Sequence, residues 1–126
     1  MNIEKLIHTH ENFVRSCLKK KGEVAPMIAF KKGENLGVIP LTNVSRVGTE
    51  LLIESVKRMN TDWYVFMKEK SICEDYETNS YESMMQPKDL KKEIVILAVT
   101  KGHRRISRYE KIGDDMKKIS EDDGGD

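Results

Sequence analysis

An α+β domain, with two helices packed on one face of a mainly antiparallel five-stranded sheet in the order α-β-β-α-β-β-β, is what three features of the sequence predict. Residues Ile94 to Val99 form an unbroken apolar run rich in β-branched side chains, the pattern of a strand covered on both faces. Two other stretches repeat apolar side chains at helical spacing. Short apolar runs separated by glycine-containing turns fill the rest, without the βαβα alternation of a doubly wound nucleotide-binding fold.

The first helix is expected over residues 3 to 20. Ile3, Leu6, Ile7, His10, Phe13, Val14, Cys17 and Leu18 fall on one face, with Glu4, Lys5, Glu11, Asn12 and Arg15 opposite. Lys19, Lys20 and Lys21 sit in the last turn, where cations offset the negative end of the helix dipole, and Gly22 supplies a left-handed stop. The lysine run therefore needs no ligand to explain it. From Val24 the period changes. Pro26 to Phe30 and Leu36 to Leu41 flank the polar loop Lys31-Lys32-Gly33-Glu34-Asn35, which reads as a hairpin. Pro26 and Pro40 near its open ends mark it as the source of an edge strand.

Thr42, Asn43 and Ser45 are candidate N-caps for a second helix closing near Asn60. Its expected buried stripe is Val44, Val47, Leu51, Leu52, Ser55, Val56 and Met59, with Gly48 permitting a close approach to the sheet. Asp62 to Lys70 gathers the only tryptophan with Tyr64, Val65 and Phe66, and reads as an interior strand. Residues 71 to 92 lose periodicity, are acidic in their first half and contain Pro87, the look of a lid or a disordered loop. The Glu93 to Thr100 strand then turns through Lys101-Gly102-His103 into a polar, peripheral strand from Arg104 to Ile112. Residues 114 to 126 have little to bury and are expected to be a disordered acidic tail on a single domain spanning residues 1 to 113.

Charge and cysteine content narrow the function classes. The net charge of +1 divides into −4 on residues 114 to 126 and therefore +5 on the rest. That basic excess is mild for a dedicated nucleic-acid domain. Cys17 and Cys73 lie far apart and outside any C-x-x-C pair, as in a reducing compartment. Charges within the first five residues leave no room for an apolar leader, so a soluble, cytoplasmic protein with no membrane partner is the expectation.

No complete catalytic or metal-binding signature occurs, and no cofactor is implied. His8 and His10, two residues apart on a helix, point about 200° apart and cannot share an ion. The acidic neighbours Glu74 and Asp75 raise the pKa of the Cys73 thiol rather than activating it. Glu69 closes an apolar strand beside the 71–92 loop, where with Glu74, Asp75 and Glu77 it could form a carboxylate site. Lys101, His103, Arg104, Arg105 and Arg108 make the densest basic cluster, a candidate polyanion or nucleic-acid surface, although the pleat splits it and the acidic tail could shield it.

Pro26, Val38-Ile39-Pro40, Val65-Phe66-Met67-Lys68-Glu69, Pro87-Lys88-Asp89, Lys92-Glu93-Ile94-Val95-Ile96 and Ile106 to Tyr109 together resemble a pattern in small uncharacterised prokaryotic and phage proteins. In that pattern a strand ends in Glu and an aromatic, and a Pro-containing loop leads to a strand opening with Arg-Glu or Lys-Glu. Lys70 stands here in place of the aromatic. The resemblance spans residues 24 to 112 and implies an α+β fold, no established activity, and Glu69 and Glu93 as positions of interest. The functional expectation is a binding or assembly module without catalysis of its own, joined to a protein partner or to a second copy. The alternatives are a small enzyme using Glu69 and a polyanion binder using the 101–108 hairpin.

Overall fold

In the computed structural model, which describes residues 2–71 and 91–124, an antiparallel sheet is built on two central strands and covered by one helix on each face. The elements are α1 (Ile3–Lys21), β1 (Met27–Lys32), β2 (Asn35–Pro40), α2 (Arg46–Arg58), β3 (Trp63–Ser71), β4 (Lys92–Thr100), β5 (His103–Ile112) and β6 (Asp115–Gly124). Six strands run in the order β2-β1-β3-β4-β5-β6, not five. The apolar run is β4, paired on both sides, with Ile94 opposite Glu69 of β3 and Tyr109 of β5.

Alternation along β4 decides which helix covers what. Ile94, Ile96 and Ala98 point to one face and pack with Leu6, Ile7, Val14 and Leu18 of α1. Leu97 and Val99 point to the other and join Leu52, Ile53 and Val56 of α2, with Ile28, Tyr64 and Phe66 of β1 and β3. The expectation that both helices share one face is therefore corrected. A strand apolar at every position needs cover on both sides, and one helix supplies each.

Helix α1 forms as its periodicity dictates. The Asn2 side chain accepts from the Lys5 N–H at its start, and Gly22 ends it at φ 75° with its N–H on the Leu18 carbonyl. Helix α2 differs in azimuth from expectation. Of the candidate caps, Ser45 is the one used, accepting from the Gly48 N–H. The inward positions are Thr49, Leu52, Ile53 and Val56, whereas Val47 and Leu51 are about two-thirds exposed. Two apolar stripes compete on this helix. The stripe that packs is the one carrying Leu52, Ile53 and Val56, and the Leu41 N–H bonds to the Pro26 carbonyl in the connection before it.

The third correction concerns the C-terminal residues. Asp115–Gly124, expected as part of a disordered tail, pairs with β5 from Arg104 to Ile112 as β6. Met116 seals the α1 side of the core at 5% exposure. Tyr109, fully buried, donates its hydroxyl to Glu11 Oε2 at 2.6 Å, and Lys118 Nζ reaches the same carboxylate at 3.4 Å. Burial, then the bond to Glu11, pushes the Tyr109 phenol well above its ordinary range. Helix α1 is thus tied to both strands of the terminal hairpin.

One buried titratable group makes stability depend on pH. His10 places its Nδ1 2.8 Å from the Leu6 carbonyl and its ring edge-on to Trp63, with centroids 5.4 Å apart. Burial lowers its pKa below the ordinary 6.5, more than the Leu6 carbonyl raises it. Below 6.5 the unfolded chain takes up a proton that the folded chain resists. Stability is therefore complete above that pH and declines as pH falls toward the lowered native value. Urea midpoints at about pH 7.5 and about pH 5.5 should differ, and His10→Gln should reduce the difference.

Candidate functional site

Glu69, the candidate carboxylate of the alternative enzyme reading, is the centre of an ion-pair cluster between β3 and the end of α1. Alternation turns it to the α1 face, where its side chain is only 9% exposed. Lys111 Nζ stands 3.3 Å from Oε1, Lys92 Nζ 3.5 Å from Oε2, and the Val24 N–H donates to Oε1 at 3.4 Å. Lys111 also donates to the carbonyl of Gly22, the cap of α1. Both oxygens are engaged, so the arrangement neutralises a buried charge and fastens the α1–β1 connection. Glu93, the other acid singled out, lies on the opposite face with Arg108 Nη1 3.5 Å away. Cys73 and the remaining carboxylates of the expected site, Glu74, Asp75 and Glu77, lie outside the described residues.

The basic hairpin is divided as the pleat requires. His103 and Arg105 face the α1 side, and Arg104 and Arg108 the other, while Lys101 sits in the exposed turn. Arg105, with a side chain 12% exposed, is clamped by Asp123, Nε to Oδ1 at 2.6 Å and Nη2 to Oδ2 at 3.1 Å, with Glu121 at 3.6 Å. Asp123 also lies 3.8 Å from His103. The Arg105 hydrogen bond holds the Asp123 carboxyl below its ordinary range. Strand β6 therefore supplies counter-charges to Arg105 and His103, the two members of the cluster on the α1 side.

His8 is exposed and reaches only Glu11 and Asn12 within α1. Among the described residues no three His, Cys, Asp or Glu side chains gather as metal ligands. Nor is any helix among them long and apolar enough to cross a membrane.

The feature that sequence reasoning did not single out is the contrast between the two sheet edges. Edge β6 carries Lys117, Lys118, Glu121, Asp122 and Asp123, and a bulge between Arg108 and Tyr109 of β5 leaves Ile119 without an opposite residue. Charges and a bulge are the usual protections of an open edge. Edge β2 has neither. Its sequence is Asn-Leu-Gly-Val-Ile-Pro, with Leu36 72% and Val38 62% exposed on one face. Gly33, at φ 62°, opens a two-residue turn in which Lys32 and Asn35 pair. From that pair, alternation turns the N–H and C=O groups of Leu36 and Val38 outward, in line with Pro40, which has no N–H. Gly37 between them sits under the Phe30 ring, where a Cβ would meet Cζ at 2.4 Å. The visible signal was two large apolar side chains at alternate positions in a strand marked as an edge by its prolines.

No protein-family model, no curated protein and no solved structure matches the chain.

Proposed function

We propose that the protein is a cytoplasmic assembly module that self-associates edge to edge through β2. The observation that carries this reading is the edge contrast among the described residues: a charged, bulged β6 at one end of the sheet and, at the other, an apolar β2 with neither charge nor bulge. An antiparallel pairing of two β2 strands about a two-fold axis at Gly37 sets Leu36 of one copy opposite Val38 of the other. Both then bond through the backbone groups already turned outward. The four apolar side chains meet on one face of a continuous sheet, while the glycines at the axis keep the other face clear for Phe30. An interface built on six residues per copy is small, so association should be concentration-dependent.

Replacing both Leu36 and Val38 by glutamate places four like charges at the seam and nothing in either core, since both positions are exposed. Light scattering coupled to size exclusion should report a dimer for the native chain and a monomer for the double variant, with unchanged thermal midpoints at low concentration. A native chain that stays monomeric at high concentration would remove the proposal.

A further inference from the structure

On the face opposite Glu69's ion pairs, the first turns of α2 and the second half of β3 line a half-open cavity of about 660 Å³. We infer that this cavity binds an organic anion with an apolar body, a carboxylate or a comparable acid on an alkyl or aryl group.

The volume falls within the range of small-molecule sites, and the walls divide by chemistry. Phe66, Ile53 and Leu41 belong to the α2-side apolar cluster and form one end. Along β3, alternation places Lys68 two residues beyond Phe66 on the same face, and Arg46 approaches from the start of α2. Arg46 is partly offset by Glu50 at 3.7 Å, an exposed pair of little weight. Lys68 is half-buried and makes no ion pair among the described residues.

Among the described residues, the acids beside Lys68 on β3 and β4 have other cations next to them. Glu69 is turned to the opposite face and held by Lys92 and Lys111, while Glu93 has Arg108 Nη1 3.5 Å from an Oε1 that makes no hydrogen bond among the described residues. A cationic group over an apolar wall is complementary to an anion carried on an apolar group, and Arg46 and Lys70 beside Lys68 leave the lining with one more cation than its acids Glu50 and Glu69. A neutral apolar ligand would leave Lys68 without a partner, and a cationic one would be repelled.

The test uses the full chain and the fluorescent aryl sulfonate 1-anilinonaphthalene-8-sulfonate, displaced by decanoate or by decanol. The expected result is saturable binding, displacement by decanoate at about tenfold lower concentration than by decanol, and about tenfold weaker decanoate binding in Lys68→Glu. Lys68→Arg should retain the affinity. Lys5→Glu, the same charge change on the exposed side of α1, should bind as the native chain does. Equal displacement by decanoate and decanol, an unaltered Lys68→Glu variant, or an equal loss in Lys5→Glu would each overturn the inference. Circular dichroism of every variant separates a lost site from a lost fold.

Discussion

A chain ending at Gly113 should be less stable than the full chain by about 3–5 kcal/mol, a large part of the 5–15 kcal/mol typical of a domain. Met116, at 5% exposure, leaves the core, and burying such a side chain is worth about 1.5–3 kcal/mol. Tyr109 loses its neighbour strand and its cation, since Lys118 also lies 5.8 Å above its ring. Arg105, buried beside Asp123 and Glu121, loses both counter-charges, and Arg15 loses Asp115 at 3.2 Å. The ion pairs add little individually, because Arg105 and Arg15 are left open to water, so most of the cost comes from Met116 and Tyr109. Urea denaturation of the two chains measures the difference. Equal midpoints would show that the terminal hairpin contributes nothing to the fold.

Glu69→Ala should cost about 2–4 kcal/mol, because it strands Lys111, whose side chain is 16% exposed, and removes the acceptor for the Val24 N–H. Lys92 is more exposed and can turn to water, which limits its share. Glu69→Gln keeps a carbonyl oxygen for Val24 and should lie between alanine and the native residue. The same variants also decide between the two roles read for this acid. A fastening role predicts lowered denaturation midpoints, whereas unchanged midpoints with altered ligand turnover would restore Glu69 as a reacting group.

What the sequence made legible follows from how strongly each pattern constrains physics. Helix α1 carries one apolar stripe and two unambiguous ends, so its span from Ile3 to the Gly22 stop reads correctly, although Phe13 of the expected stripe is exposed and Glu11 turns in to meet Tyr109. The run Ile94 to Val99 announces a central strand, and Pro40 an edge, because buried backbone and a missing N–H leave few alternatives. Helix α2 carries two apolar stripes, and which of them packs is settled by tertiary contacts with β1, β3 and β4 that the sequence does not display. Strand β6 escapes a hydrophobicity reading. Met116 and Ile119 are its only large apolar residues, and its charged residues pair with Arg105 on β5 and Glu11 on α1.

The candidate site was hidden for a similar reason. Arg105 looked like part of a phosphate surface while β6 was read as a disordered tail, and it changes character once Asp123 and Glu121 are placed beside it. Leu36 and Val38 looked like ordinary strand residues. Only the strand order, with β2 outermost and α1 covering the middle of the sheet, leaves them exposed.

The self-association account is tested most directly by amide hydrogen exchange along β2 as a function of protein concentration. It predicts that the outward N–H groups of Leu36 and Val38 exchange rapidly in dilute solution and gain protection together as concentration rises, while the β6 amides do not change. Protection at Leu36 and Val38 that is independent of concentration, or a gain confined to β6, would contradict it.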